Sequence, residues 1–321
     1  MKKFMAAALA VLILFSVIPV LSASAETLEG FEDIYKIGDV DLNGRITIND
    51  ATELQRILAQ LTEPTDEQME KADADYDGRI TINDATHLQR ILAETYIPLV
   101  GKKGIDISSN NDSIDMRKVK EAGYDFVMIR CGYGENVVEQ DDWNFCENVR
   151  KCEELGMPWG VYLFSYALSE ADALSEVEHV DRLLKAEKAK GYLPTLPIVL
   201  DVEWSSYVEN HGGWNYDNIN RVTTVFVNGI IERGYYPMIY TGYSILEDFM
   251  SEYLQNEIDC WFAEWWIEPD LYHFNRMGIW QYGGENSFLE STEIEGVGVV
   301  DKNVCYRDYP LLIKNGGYNG W

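Results

Sequence analysis

Basic residues are scarce in this sequence of 321 residues. It has 26 lysine and arginine residues against 54 aspartate and glutamate residues, which gives a formal net charge of −28 at pH 7. A protein that binds a phosphate backbone needs clustered positive charge. The composition therefore argues against nucleic acid as a partner. Part of the acidity is local, because cation-binding loops concentrate aspartate.

Cysteine is also sparse, with five residues that all lie after position 130. An odd number at irregular spacing is no disulfide framework, and no Cys/His spacing resembles a zinc site. Cys131 and Cys260 lie in apolar, strand-like runs, so we expect them to be small buried residues. Cys146 and Cys152 could pair only if their helix allows it. The fifth cysteine is Cys305.

The one long hydrophobic run lies at the N-terminus. Two lysines precede an apolar stretch over 4–21, and the small-residue sequence A-S-A ends at Ala25. This layout predicts a secretory signal peptide over 1–25 that is cleaved after Ala25. A membrane anchor is the alternative, but Ser16 and Pro19 interrupt the run and no stop-transfer charge cluster follows. We therefore expect a secreted, extracellular protein without stable membrane insertion after cleavage.

A segment of 22 residues occurs twice, as GDVDLNGRITINDATELQRILA from Gly38 and ADADYDGRITINDATHLQRILA from Ala72. Each copy has oxygen donors at loop positions 1, 3, 5 and 12, glycine at position 6 and a backbone carbonyl at position 7. EF-hand loops bind Ca²⁺ with this arrangement. The predicted ligands are Asp39, Asp41, Asn43, Arg45 and Asp50 in the first copy and Asp73, Asp75, Asp77, Arg79 and Asp84 in the second.

An amphipathic helix is predicted after each loop, because Leu54, Ile57 and Leu58 recur at i, i+3 and i+4 and the second copy repeats them. Position 12 is aspartate rather than the usual glutamate, and the segment before the first loop does not predict an entering helix. Two copies of loop plus exit helix resemble the dockerin domain, over 35–97. The resemblance implies a small α-helical module that holds two structural Ca²⁺ ions.

Dockerins bind cohesin modules of scaffold or cell-surface proteins, so the resemblance also implies a partner. Because the two copies agree at every implied contact position, we expect two alternative binding orientations. A metal-stabilised spacer is the alternative, but an exposed isoleucine in an acidic loop favours recognition. The implied contact residues are Ile48, Asn49 and Arg56 in the first copy and Ile82, Asn83 and Arg90 in the second.

From residue 101 onward, apolar strand-like segments alternate with helical segments. The pattern predicts an α/β fold in which a shortened TIM-like barrel over 101–321 has five β/α units and then three strands. The predicted strands are 104–108, 126–132, 158–165, 197–203, 236–242, 260–265, 278–284 and 297–304. The predicted helices are 115–122, 143–155, 169–190, 217–233 and 244–255.

Four acids lie at predicted strand ends: Asp106 on the first strand, Asp201 and Glu203 on the fourth, and Asp301 on the eighth. Catalytic groups of such barrels gather at the C-terminal ends of strands. Asp201 and Glu203 are two residues apart and share a face. Neighbouring carboxylates disfavour a further negative charge, which keeps a glutamic acid protonated as a proton donor.

Aromatic residues occur at or near the same strand ends, where their faces suit the apolar C–H faces of sugar rings. Core packing is the alternative for any one of them. As a group they predict a sugar-binding cleft. They are Tyr133, Tyr162, Phe164, Tyr240, Trp265, Trp280 and Tyr282.

Several blocks in a fixed order resemble glycoside hydrolase family 25, the lysozymes that cleave peptidoglycan between N-acetylmuramic acid and N-acetylglucosamine. They are GIDISSNN, AGYDFVMIRCGYG, GVYLFSY, LPIVLDVEW, GYYPMIYTGY, IWQYG and VVDKNV. The resemblance covers nearly all of 101–310 and implies that Asp106, Asp201, Glu203 and Asp301 are catalytic, with Glu203 as proton donor and no catalytic cofactor. Two departures bear on substrate positioning: a glutamine common after the first block is here Asn110 or Asn111, and WFAEWW replaces a tryptophan, alanine, tyrosine pattern.

The stereochemistry remains open from the sequence, because adjacent same-face positions place Asp201 and Glu203 roughly 6 to 7 Å apart, between retaining and inverting separations. The implied substrate carries a 2-acetamido group whose oxygen can attack the anomeric carbon. We expect substrate-assisted retention, with Asp201 orienting that group. The alternatives are an inactive barrel that binds peptidoglycan and a chitinase-like hydrolase.

Overall fold

The structure, a computed structural model, describes residues 37–93, 96–111, 113–205, 216–265, 276–284 and 292–321. The predicted signal peptide lies outside these residues. No helix in the described ranges combines the length and apolarity needed to cross a membrane. All five cysteines lie in the described ranges and are free thiols. Cys131 and Cys260 are buried, as predicted, and Cys146 and Cys152 are not joined.

Three helices make up the duplicated segment: α1 (Ile48–Leu58), α2 (Asp66–Ala72) and α3 (Ile82–Leu92). The helices predicted after each loop are therefore present as α1 and α3. Each begins at a threonine that caps the helix reciprocally with the aspartate at loop position 12. Helix α2, which enters the second loop, is an addition to the sequence prediction. The apolar core shared by α1 and α3 contains Val40, Ala51, Leu54, Ile57, Ala85 and Leu88.

Eight strands close into a barrel in the order β1-β10-β7-β6-β5-β4-β3-β2, which confirms the predicted fold class. Neighbours from β1 round to β7 pair in parallel. The strands of the barrel are β1 (Lys103–Ile107), β2 (Phe126–Tyr133), β3 (Trp159–Phe164), β4 (Ile198–Asp201), β5 (Pro237–Gly242), β6 (Asp259–Ala263), β7 (Met277–Gly283) and β10 (Asp301–Cys305).

Helices follow each of the first five strands, in agreement with the five predicted β/α units. The helix predicted over 244–255 is two helices, with a break at Met250 and Ser251, where Ser251 caps the second. The helices are α4 (Met116–Glu121), α5 (Phe145–Leu155), α6 (Glu170–Lys188), α7 (Tyr216–Glu232), α8 (Tyr243–Phe249), α9 (Glu252–Glu257) and, after the barrel, α10 (Tyr309–Asn315).

The last strand differs from its prediction in extent and direction. The segment predicted as one strand over 297–304 contains β9 (Gly298–Val299), which pairs with β8 (Glu293–Ile294) in a separate sheet, and then β10. Strand β10 runs antiparallel to both of its barrel neighbours. Asp301 therefore lies at the start of its strand rather than at the end, and the reversal brings it into register with Asp106.

Alternating side chains divide the apolar residues of the barrel into two layers. On β2, Phe126 and Met128 belong to the cluster inside the barrel, whereas Val127 and Ile129 belong to the layer between the strands and the helices. This two-residue period is the one expected for a strand buried on both faces. The same alternation determines which side chains at the ends of the strands face the interior of the barrel.

Candidate active site and calcium loops

A cavity of about 300 Å³ opens at the rim where the parallel strands end and β10 begins. All four predicted catalytic acids line it, so the structure brings them together from three strands. Three of the predicted sugar-binding aromatics line it as well. The lining residues are Asp106, Ser108, Asn110, Asn111, Arg130, Tyr162, Phe164, Asp201, Glu203, Tyr240, Trp261, Gln281 and Asp301.

Asp106 is held between two side-chain amides. Its Oδ2 accepts hydrogen bonds from Gln281 Nε2 at 2.9 Å and from Asn303 Nδ2 at 2.8 Å. Burial raises the pKa of Asp106 to about 6, and the two donors act in the opposite direction. Asn303 is itself fixed, because its Oδ1 accepts from Trp261 Nε1 at 2.8 Å. Asp106 is therefore an oriented acceptor rather than a free carboxylate.

Gln281 connects this carboxylate with two of the aromatic residues. Its Oε1 accepts from Tyr240 Oη at 2.8 Å and from Trp265 Nε1 at 3.0 Å, while its Nε2 donates to Asp106. Both functions of the buried amide are thus used. The Tyr240 and Trp265 side chains are oriented by the same group that orients Asp106.

Asp201 is buried at the end of β4, with only 4% of its surface exposed. Its Oδ1 has no hydrogen-bond partner within the described residues. Burial raises the pKa of Asp201 well above its usual range, and the charges of Glu203 and Asp106 raise it further. A buried oxygen without a hydrogen bond costs folding free energy, so Oδ1 of Asp201 is suited to accept a hydrogen bond from a bound molecule.

Glu203 lies just beyond the same strand and is half-buried. Its Oε2 accepts from Ser205 Oγ at 3.2 Å. Burial raises the pKa of Glu203, the hydrogen bond from Ser205 lowers it, and the charge of Asp106 raises it. A carboxyl group that keeps its proton to higher pH and still reaches the cavity is suited to proton donation.

Arg130 places a positive charge among these carboxyl groups. Its Nε donates to Asp142 Oδ2 at 2.9 Å, and its Nη2 donates to Ser109 Oγ at 2.8 Å. The backbone N–H of Ser109 also donates to Asp142 Oδ2, at 2.8 Å. Arg130 acts to lower the pKa of Asp201, against the effect of burial. The guanidinium is thus fixed where it partly offsets the charge of the cavity.

The predicted aromatic cleft is formed in part. Tyr162 and Tyr240 line the cavity and meet Trp261 edge to face, at centroid distances of 5.7 and 4.7 Å. Tyr133 is half-buried and lies next to the rim, where its ring contacts Tyr166 at 6.0 Å. Tyr166 in turn meets Phe164, a lining residue, at 5.3 Å.

Trp280 does not reach the cavity, which corrects its assignment to the sugar cleft. On β7, Ile279 belongs to the interior of the barrel and Gln281 lines the cavity, so the residues between and after them face outward. Trp280 and Tyr282 pack together at 5.4 Å in the layer between strands and helices. The indole of Trp280 donates to the backbone oxygen of Glu264 at 2.9 Å.

The site also contains functional groups that were not predicted from the sequence: Ser108, Arg130, Trp261, Gln281 and Asn303. A signal was available for one of them. Asn303 is two residues after Asp301 on β10, so strand alternation places both on one face. Gln281 shares its face of β7 with Ile279, but Ile279 was not a predicted site residue and so gave no such signal. The direct contacts of these two amides with Asp106 depend on the closure of the barrel.

The carboxylates of each predicted calcium loop converge. Oxygens of Asp39, Asp41 and Asp50 lie within 4.8 Å of one another, and those of Asp73, Asp75 and Asp84 do the same. Asn43 and Asp77 at loop position 5 accept from the backbone N–H groups of Arg45 and Arg79. Burial, then the charges of Asp84 and Asp77, raise the pKa of Asp75 to about 6. Crowded hard oxygens of this kind fit Ca²⁺.

The six residues implied in partner recognition are all exposed. Ile48 and Ile82, at loop position 10, have 58% and 56% of their surfaces exposed. Asn49 and Asn83 follow them, and Arg56 and Arg90 lie in the last turns of α1 and α3. An exposed isoleucine, asparagine and arginine therefore occur at equivalent positions of both copies.

Comparison with known proteins identifies two families. The sequence matches the description "Glycosyl hydrolases family 25" over 105–291 and "Dockerin type I domain" over 37–93. A curated relative, the autolytic lysozyme of Clostridium acetobutylicum, is 24% identical over 234 residues, which cover 67% of this chain and 66% of the relative. The match thus spans just under two thirds of that protein's length.

Solved structures show the same barrel. The modular autolysin LytC from Streptococcus pneumoniae, in complex with a synthetic peptidoglycan ligand, gives a TM-score of 0.54 at 27% identity, covering 64% of this chain and 46% of that chain. A family 25 glycosyl hydrolase from Bacillus anthracis gives 0.51 at 20% identity, covering 66% and 91%, a likeness of fold. The chain belongs to glycosyl hydrolases family 25 and carries a dockerin type I domain before its barrel.

Proposed function

We propose that this protein is a secreted muramidase, attached to a cohesin-bearing scaffold by its dockerin. It hydrolyses the β-1,4 bond between N-acetylmuramic acid and N-acetylglucosamine in bacterial peptidoglycan. The convergence of Asp106, Asp201, Glu203 and Asp301 on one aromatic-lined cavity carries this proposal. The similarity to an autolytic lysozyme and to an autolysin that binds a peptidoglycan ligand supports it.

Glu203 is the proton donor in the proposed reaction. Its carboxyl group protonates the oxygen of the departing sugar, and the resulting carboxylate later takes a proton from the attacking water. The raised pKa of Glu203 supports the first role, because the carboxyl group keeps its proton to a higher pH than an exposed glutamic acid does. Its half-buried position supports contact with the substrate.

Asp201 is the partner of the 2-acetamido group. The unpaired Oδ1 of Asp201 would accept the acetamido N–H, and this orients the acetamido oxygen toward the anomeric carbon. Attack by that oxygen releases the protonated leaving group and forms a cyclic intermediate, which Asp201 stabilises by accepting the hydrogen bond from its N–H. Water then opens the ring with retention of configuration. Asp106 and Asp301 hold the sugar and tune the charge of the cavity.

Digestion of purified peptidoglycan tests the substrate and the bond. We expect fragments whose reducing end, tagged by borohydride and identified by mass spectrometry, is N-acetylmuramic acid. N-acetylglucosamine at the reducing end would overturn the bond assignment. Release from chitin but not from peptidoglycan would indicate a chitinase-like enzyme, and binding without release would indicate an inactive barrel.

The Glu203→Gln variant tests the proton donor. We expect kcat to fall by about 10² to 10⁴, because the amide cannot protonate the leaving oxygen, while sedimentation with insoluble peptidoglycan is retained. Glu232→Gln, at the exposed end of α7, is the matched control and should keep full activity. NMR of the first product tests retention. A covalent sugar trapped on Asp201 would show that this residue is a nucleophile.

The dockerin part of the proposal includes two structural Ca²⁺ ions and a cohesin partner. Isothermal titration should give two ions per chain, and cohesin capture should be lost in excess chelator. Capture that persists in chelator would contradict the calcium-dependent model. Secretion is tested by N-terminal sequencing of the protein from culture medium, which should begin at Glu26.

A further inference from the structure

The two calcium repeats differ in sequence where the second one meets the barrel. They agree at 17 of their 22 positions, and the five differences include Leu42 against Tyr76 and Glu53 against His87. Glu53 makes an ion pair with Arg56 on its own helix at 3.8 Å. Tyr76 and His87 instead contact residues outside the repeat.

Tyr76 packs against the apolar cluster of the barrel interior, which continues to Leu99 and Tyr309 at the end away from the cavity. The Tyr76 side chain is half-buried there and lies near the side chains of Arg307 and Asp308. A side chain from the second calcium loop thus helps to cover the lower end of the barrel.

Two further contacts join the same surfaces. His87 is buried and meets the ring of Tyr96 edge to face at 4.9 Å, and Tyr96 Oη donates to Asp308 Oδ2 at 2.7 Å. Asn315, on α10, donates from its side-chain amide to the backbone oxygen of Asp75. The loop, the connection after α3 and the last helix therefore meet at one place.

The position of Tyr76 depends on the folded loop. Tyr76 has a left-handed backbone conformation, with φ of 58°, between the predicted ligands Asp75 and Asp77. The backbone N–H of Asp77 donates to Asp73 Oδ1 and to Asp75 Oδ1, at 3.1 and 3.2 Å. Without a cation, repulsion among the carboxylates favours opening of this loop, which would withdraw Tyr76 from the barrel.

We propose that the second calcium repeat is a docking element for the lower end of the barrel. The docking surface consists of Tyr76, His87 and the backbone carbonyl of Asp75. Cation binding in the second loop therefore stabilises the segment 305–315 of the catalytic module, whereas the first repeat has no such effect. The exposed recognition residues of both repeats lie outside the docking surface, so docking leaves them accessible.

Hydrogen exchange of the full chain, followed by mass spectrometry, tests this proposal. We expect removal of Ca²⁺ by chelator to speed exchange in 305–315. The Tyr76→Leu variant places the residue of the first repeat at this position. In saturating Ca²⁺ it should speed exchange in 305–315 by about tenfold, because a partly buried aromatic contact is lost. Asn315→Ala removes a contact from the barrel side and should act in the same direction. Leu42→Ala, at the equivalent position of the first loop, is the matched control.

Calcium stoichiometry separates undocking from unfolding of the loop. Tyr76 is not a ligand position, so Tyr76→Leu should still bind as many ions as the wild type; for Asn315→Ala the calcium loops are unaltered. Unchanged exchange in 305–315 for both variants would overturn the proposal. An equal effect of Leu42→Ala would also overturn it, since docking would then not be specific to the second repeat.

Discussion

Glu176 offers a direct test of how burial affects stability in this barrel, through the isosteric change Glu176→Gln. Its side chain, on α6, is 1% exposed. One carboxyl oxygen accepts a hydrogen bond from the Tyr166 backbone N–H at 2.7 Å, and the other accepts one from Ser165 Oγ at 2.9 Å. Burial raises the pKa of Glu176 from 4.5 to about 8. The folded protein therefore retains a proton at neutral pH that the unfolded chain releases.

The size of the effect follows from this difference in pKa. Below about pH 4.5 both states are protonated, and Glu176 adds no pH dependence. Between about pH 4.5 and 8 the unfolded state binds fewer protons, so the free energy of unfolding falls by about 1.4 kcal/mol per pH unit. At pH 7 the loss is about 3 kcal/mol, and above about pH 8 it no longer grows.

Urea unfolding at pH 5 and pH 7, in constant Ca²⁺, measures this contribution. We expect Glu176→Gln to be more stable than the wild type by about 3 kcal/mol at pH 7 and by less than about 1 kcal/mol at pH 5. Glu178→Gln, on the exposed face of the same helix, should change stability by no more than about 1 kcal/mol at either pH. An equal effect of Glu176→Gln at both pH values would refute the reasoning.

Two further predictions concern the cavity and the dockerin. Gln281→Leu removes a donor to Asp106 and the acceptor for Tyr240. Initial rates on peptidoglycan should therefore give a kcat about 10- to 100-fold lower than that of the wild type. An unchanged kcat would contradict this role of Gln281. Ile48→Asp and Ile82→Asp should each leave cohesin binding intact in surface plasmon resonance, because the other copy remains, whereas the double change should abolish it. Loss of binding in either single variant would rule out two orientations.

Much of the site was predictable because it rests on local patterns. The predicted calcium ligands have fixed spacing within a duplicated loop, and each set of carboxylates converges in the structure. Asp201 and Glu203 share a face because they are two residues apart on a strand end. Asp106 follows from the rule that catalytic groups gather at the C-terminal ends of barrel strands, whereas Asp301 reaches the same rim because β10 runs antiparallel.

The direction of β10 was not predictable from its residues, because alternation has the same period in a strand that runs either way. The assignment of Trp280 to the sugar cleft was wrong for a related reason. Proximity to a strand end does not show which face of the strand a side chain occupies, and neighbouring residues on a strand lie on opposite faces. The hydrogen bonds from Gln281 and Asn303 to Asp106 join residues 175 and 197 positions apart. Such contacts exist only once the barrel is closed.

The antiparallel pairing of β1 with β10 has a consequence for where the dockerin is attached. Lys103 at the start of β1 pairs with Val304 near the end of β10, so the chain enters and leaves the barrel on the same side. That side is opposite to the rim where Asp106 and Asp301 meet. The dockerin therefore attaches to the end of the barrel away from the cavity, so a partner that binds it would be tethered at the end opposite the proposed active site.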